Sequence, residues 1–177
     1  AWAKLKIYKS SISTIIGKIN LYADDRYLLF VEFEKVSKNI IDQITKYFSQ
    51  YEIINRKNKI VESAIDELRS YFKGDLKVFK TPLKSFFNTL PTIKVVQALL
   101  DNVSFGTTVS YSDLSELSGL KNGARFVGNV MSKNNLPIFI PCHRVIKSNG
   151  EIGEYSGTSY IKMQLINFER RCATWRL

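Results

Sequence analysis

With 177 residues, 45% of them apolar and 24% charged, the chain has room for one large domain or two small ones and enough apolar content to bury a core. Twenty-six basic against sixteen acidic residues leave a net charge of +10, which favours a polyanionic partner. No apolar run approaches the ~18 residues of a membrane helix, and two cysteines with one histidine fall short of a disulfide scaffold or of the roughly four ligands in a structural zinc site.

Lys4, Lys6 and Lys9 interrupt the beginning of the chain and no apolar stretch follows them, so no secretory leader is expected. The expectation is a soluble cytoplasmic protein with reduced thiols and no membrane partner. Leu5 to Ile19 is a mixed apolar and polar run. Tyr22 to Arg26 supplies turn chemistry, and the aromatic-rich stretch from Tyr27 to Glu34 predicts a β-strand. Ile40, Ile41, Ile44, Tyr47 and Phe48 recur at helical spacing within 40–51, and Val61, Ile65, Leu68 and Phe72 do so until Gly74. Both stretches read as packed scaffold. Prolines and turn residues between Thr81 and Pro91 break the pattern, which divides the chain into 1–85 and 86–177.

The second part carries the chemistry. Between Glu116 and Glu151 there is no acidic residue, whereas Lys121, Arg125, Lys133, Arg144 and Lys147 all fall inside, a window suited to phosphates. A helix is predicted over 93–103, with Val95, Val96, Leu99 and Leu100 on one side. Ser110-Tyr-Ser-Asp113 then forms a capping box, with Leu114 and Leu117 behind it and Gly119 as the left-handed stop. A second helix, about 122–132, completes a helix-turn-helix candidate. Its buried stripe is predicted as Phe126, Val127, Val130 and Met131; Lys121, Arg125, Asn129 and Ser132 lie opposite. Gly123, Ala124 and Gly128 are small enough to let another surface approach the backbone. An amphipathic helix with a plain solvated face has the same pattern.

Leu136 to Pro141 is a short apolar run between prolines that leads straight into Cys142-His143-Arg144. A cysteine beside the only histidine is a candidate activated thiol, because free cysteine (pKa ~8.5) needs a base or positive charge nearby to ionise at neutral pH. Adjacent residues of an extended chain face opposite ways, so contact requires a bend or a bridging water. A structural cysteine beside a surface histidine is the alternative. The last helix, about 160–171, places Glu169 on the same inward stripe as Ile161, Leu165 and Phe168. A carboxylate aimed at a core needs a partner, and a carboxylate on one histidine nitrogen fixes the tautomer and raises the basicity of the other. Cys142, water, His143 and Glu169 then read as a proton relay, while Cys172 reads as incidental.

Gly128-Asn-Val-Met131, Pro137-Ile-Phe-Ile-Pro-Cys-His-Arg-Val145 and Gly153-Glu-Tyr-Ser-Gly157 together closely resemble the O6-alkylguanine-DNA alkyltransferases (methylated-DNA–protein-cysteine methyltransferases), over about Thr92 to Arg171. The resemblance implies an α/β (α+β) fold. An N-terminal RNase H-like domain, a small antiparallel sheet with helices, would occupy 1–85. A C-terminal winged-helix-like domain with the helix-turn-helix would occupy 86–177. It further implies a single-turnover enzyme without cofactor or metal, which flips O6-alkylguanine out of duplex DNA through the minor groove and moves the alkyl group to its own cysteine.

Carried over by position, Cys142 is the acceptor, activated by His143 and Glu169 through water. Asn134 orders the loop around it, and Tyr111 donates a proton to guanine N3. The backbone of Cys142 and Val145 receives the exocyclic amine, and Tyr155, Ser156 and Gly157 form the opposite wall. Arg125 is the finger that fills the gap left by the flipped nucleotide, within a reading helix that also presents Lys121, Ala124, Gly128 and Asn129. Glu154 departs from the family pattern by placing a negative charge in the pocket wall. A monomer is expected, with cooperative assembly on DNA as the alternative. A non-catalytic sensor of alkylated DNA, the second functional reading, is disfavoured because relatives of that kind replace the cysteine; a cysteine hydrolase is the third.

Overall fold

The mixed run at the start of the chain folds as a hairpin. Strand β1 (Leu5–Thr14) pairs antiparallel with β2 (Gly17–Ala23), and Gly17 closes the turn at φ +105°, a left-handed value that side chains resist. Strand β3 (Leu28–Phe33) extends the meander, antiparallel to β2. After helix α1 (Ile40–Tyr47), the short strand β4 (Tyr51–Ile54) joins the other side of β1 in parallel, giving the order β3-β2-β1-β4. The antiparallel sheet expected from the sequence therefore gains one parallel strand. Helix α2 (Lys59–Phe72) starts at Asn58, whose side chain accepts from the Val61 amide, and buries Val61, Ala64, Ile65, Leu68 and Tyr71 over β1, β2 and β3.

The edge strand β3 is buried along its whole length. The Leu28 amide donates to Pro82 at 2.8 Å and the Lys84 amide to Leu28 at 3.0 Å, so the returning chain covers the open edge. Glu32, buried in this strand, accepts from Asn20 Nδ2 at 2.6 Å, from the Tyr22 hydroxyl at 3.0 Å and from Ser37. A buried carboxylate with three donors is tolerated because it keeps the hydrogen bonds that water would have supplied.

The structure describes residues 3–37, 39–153 and 158–174, in two units, 1–84 and 85–177. In the second, helix α3 (Leu90–Asn102) buries Val95, Val96, Ala98 and Leu99. It begins three residues before the predicted Ile93, since Pro91 is accommodated in a first turn that needs no amide donor. A two-residue strand, β5 (Val109–Ser110), precedes helix α4 (Tyr111–Leu117), which is capped as expected by Ser110 Oγ accepting from the Asp113 amide at 2.9 Å. Helix α5 (Ala124–Ser132) completes the helix-turn-helix. The turn is tied by buried Ser115, whose hydroxyl donates to the Leu120 carbonyl at 2.7 Å and accepts from the Gly123 amide at 2.9 Å. Strand β6 (Val145–Ile146) pairs in parallel with β5, and helix α6 (Ser159–Thr174) closes the unit. No described helix is long and apolar enough to cross a membrane.

Several predicted details differ. The turn expected from Tyr22 begins only at Asp24, whose Oδ1 accepts from the amides of Arg26 and Tyr27. The helix expected over 40–51 stops at Tyr47 and leaves Ile41 and Tyr47 exposed, because residues 51–54 are taken by the sheet. Leu100, predicted inward on α3, is exposed, as is Phe126, predicted inward on α5.

Candidate active site

Cys142, His143 and Arg144 form one 3-10 turn, the bend that an extended Cys-His pair would lack. The approach to it is constrained. The segment 136–141 is buried throughout, and Ile138 holds φ +73°, a left-handed value that is strained for a β-branched residue. Asn134 pins this segment: its Nδ2 donates to the Ile140 carbonyl at 2.9 Å, and its Oδ1 accepts from the Leu136 amide at 3.0 Å. The same Nδ2 is 3.0 Å from Cys142 Sγ. A fixed N–H donor on sulfur favours thiolate over thiol. Asn134 thus bonds both ends of the 136–140 segment and also touches the sulfur.

Cys142 is 1% exposed and His143 0%. His143 Nε2 is 2.6 Å from Glu169 Oε2. Glu169, at 1% exposure, also accepts from Arg144 Nε at 2.8 Å, from the Arg144 terminal nitrogen at 3.2 Å and from the Gly106 amide at 3.3 Å. Gly106 has φ +85°, and a Cβ there would lie 2.7 Å from Ala173 Cβ, so α6 can approach this loop only over a glycine. Arg144 is anchored further by donating to the Val103 carbonyl at 3.0 Å.

Burial pushes the His143 pKa below its ordinary 6.5, against the pull of Glu169. Burial alone would raise Glu169, but His143 and then Arg144 outweigh it and hold the carboxyl well below the usual range. The consistent charge state is an ionised Glu169 paired with Arg144⁺ beside a neutral imidazole. With Nε2–H directed at the carboxylate, Nδ1 is the lone-pair nitrogen. This buried atom has no hydrogen-bond partner among the described residues.

The β5–β6 pairing sets Ser110, and with it the start of α4, beside the Cys142 turn. Tyr111 follows directly. Its hydroxyl accepts from Lys162 Nζ at 3.1 Å, and Lys162 itself is 0% exposed. The ring is flanked by Gly128 of α5, where a Cβ would lie 3.9 Å away, and by Gly153, where a Cβ would come within 2.9 Å of the hydroxyl oxygen. Burial lowers the Lys162 pKa to about 8, with the charge of Cys142 partly opposing.

Most of the expected residues thus converge: Cys142, His143, Glu169, Asn134, Tyr111 and buried Val145. Lys121, Arg125 and Asn129 are exposed on or beside α5, while Ala124 and Gly128 are half-buried. Tyr155, Ser156, Gly157 and Glu154 lie outside the described residues. Sequence reasoning missed two participants. Lys162 is three residues before Leu165 and seven before Glu169, on the inward stripe that singled out Glu169, and the same argument applies to it. Arg144, which the sequence places only within the cationic window, is the direct ion partner of Glu169. Among the described residues no cluster of His, Cys, Asp and Glu is placed to hold a metal ion.

These features define a protein with a buried, donor-supported thiol beside a carboxylate-fixed imidazole, on a helix-turn-helix unit. Residues 91–171 match the DNA-binding domain of 6-O-methylguanine DNA methyltransferase, and residues 7–85 match its ribonuclease-like domain. The chain is 30% identical to the methylated-DNA–protein-cysteine methyltransferase of Methanosarcina acetivorans over 94% of its own length and 100% of that protein. It is 33% identical to the constitutive enzyme of Bacillus subtilis over 73% of this chain and 84% of that one. The crystal structure of the Mycobacterium tuberculosis protein in complex with DNA superimposes with a TM-score of 0.78, at 25% identity, covering 93% of this chain and 94% of that one. The chain belongs to the methylated-DNA–protein-cysteine methyltransferases, the family that repairs alkylated DNA by transfer to a cysteine.

Two predictions follow from the charge network. Glu169→Gln leaves Arg144 buried without its counter-charge and should lower stability by about 3–5 kcal/mol at pH 7. Because the folded carboxyl is depressed, that difference is complete above the unfolded value near ~4.3 and shrinks as pH falls below it; urea unfolding from pH 3 to 8 measures it. For Lys162, between the folded value of about 8 and the ordinary 10.5 the unfolded chain binds more protons, so folding gains stability as pH rises. The stability of the unmodified protein relative to Lys162→Met should therefore climb from pH 8 to 10 in the same assay.

Proposed function

We propose that the chain flips O6-alkylguanine, principally O6-methylguanine, out of duplex DNA and transfers the alkyl group once and irreversibly to Cys142 Sγ. The observation that carries this reading is the sulfur itself: buried, 3.0 Å from a fixed amide donor, on the turn that also presents His143 to Glu169.

The proton of Cys142 leaves through a water to His143 Nδ1, the nitrogen that Glu169 leaves with its lone pair free. The thiolate attacks the alkyl carbon in line; the S–C bond forms as the C–O6 bond breaks. Tyr111 gives its hydroxyl proton to guanine N3, so guanine departs neutral. Lys162 supports this role, since an ammonium donating to the phenol oxygen leaves the phenol proton free to point outward and can then replace it. The Cys142 and Val145 carbonyls receive the exocyclic amine.

A base stacked in the duplex must come out before its O6 is reachable, at a cost of a few kcal/mol. Arg125, exposed on α5, fills the space it leaves and offsets part of that cost. The half-buried Ala124 and Gly128 allow the helix to approach the minor groove closely, and Lys121 and Asn129 meet the strands. Binding by such a surface depends strongly on salt and weakly on sequence.

Incubated with a duplex containing one O6-methylguanine, the protein should gain the mass of one methylene per molecule, and Cys142→Ser should gain none. Product formation should stop at one equivalent when substrate is in excess. Continued release would identify a hydrolase, and tight binding without mass gain a sensor.

A further inference from the structure

Phe126 has no role in the active site, and its position contradicts the pattern that placed it in the core. It is 36% exposed, whereas Val127, Val130 and Met131 of the same helix are buried. Residues 125 and 126 are about 100° apart around a helix, and Asn129, one turn on from both, lies between them. The open side of α5 therefore presents a guanidinium, an amide and a benzyl ring in a row. The remaining residues near it, Gly123, Ala124 and Gly128, are small, so the ring is the bulkiest apolar group on that side.

Its surroundings select the partner. Lys121 and Lys133 are exposed at the two ends of the helix, and the chain has no acidic residue from 117 to 150. One aromatic ring set among cations lacks the apolar, charge-depleted core of a protein interface. It does match duplex DNA, where cations meet phosphates on the outside and an apolar side chain can enter between base pairs from the minor groove.

We propose that Phe126 is a second wedge in the DNA complex, entering a base step next to the one opened by Arg125 and holding the duplex unstacked there. This rests on the DNA-repair reading above and adds a residue to it. Arg125 supplies charge and volume at the vacated position; Phe126 supplies apolar contact at its neighbour.

The test uses full-length protein and duplexes with one O6-methylguanine and 2-aminopurine at each flanking position in turn. The unmodified protein should brighten 2-aminopurine at one flanking step. Phe126→Ala should lose that signal and bind about tenfold more weakly, the scale of one base–aromatic contact. Its salt slope should stay unchanged because no cation is removed, whereas Lys121→Ala should reduce the slope by about one. Phe126→Leu should keep most of the brightening, and Phe126→Gln repeats the loss with a side chain suited to a surface position, should the alanine variant be unstable. Equal brightening and affinity in unmodified and Phe126→Gln proteins would overturn the wedge while methyl transfer continued. Absence of methyl transfer in the unmodified protein would instead remove the reading on which it rests.

Discussion

One buried carboxylate organises the reactive half of the molecule. Glu169 receives hydrogen bonds from His143, twice from Arg144 and from the Gly106 amide, and so ties α6 to the Cys142 turn and to the loop after α3. Its charge has to be balanced inside the protein, at 1% exposure. If His143 alone balanced it, the imidazole would carry the compensating proton and be useless as a base. Arg144, which stays protonated at any accessible pH, takes that duty. The histidine remains neutral, oriented by the carboxylate, with a basic nitrogen to spare. In the proposed reaction the consecutive residues Cys142-His143-Arg144 take separate tasks: nucleophile, base and counter-ion.

A second device of the same kind holds Tyr111, which the proposed reaction places at the leaving group. Tyr111 is placed by the β5–β6 pairing and flanked by two glycines, and Lys162 donates to its oxygen from a fully buried position. His143 and Tyr111 are each held by a charged residue of α6, Glu169 and Lys162, seven positions apart on one helical stripe. The last helix is therefore more than a lid on the core. In the proposed reaction it sets the protonation states on both sides, the sulfur that must lose a proton and the guanine that must gain one.

Much of this was legible in the residues. The Cys-His pair stood beside a cationic window, and the periodicity of the last helix turned Glu169 inward, which demanded a partner. The same periodicity turns Lys162 inward, yet a lysine is usually read as snorkelling to solvent, and only the hydrogen bond to Tyr111 shows why it stays. Ser115 was invisible because its bonds join residues five and eight positions away around a turn. Strands β5 and β6 are two residues each, too short for any alternation to register, although they align Tyr111 with the Cys142 turn. Phe126 was misplaced because in a nine-residue helix the boundary of an apolar stripe is uncertain by one position, and a ring at that boundary can face either way. In the first unit, the bounds of β1 and β2 were hard to read because burial does not alternate along them: Ile7 and Tyr8 are buried side by side, and so is every residue from Ile19 to Ala23.

The chain has a single histidine, which makes the central claim directly measurable. Nitrogen-15 NMR of histidine-labelled protein yields one imidazole, whose two ring shifts report tautomer and charge without assignment. The account predicts a neutral ring protonated on Nε2 and bare on Nδ1, unchanged from pH 7 down to well below 6.5. A ring that titrates near 6.5, or that carries its proton on Nδ1, would contradict it, because neither could be held by Glu169 while accepting the proton of Cys142.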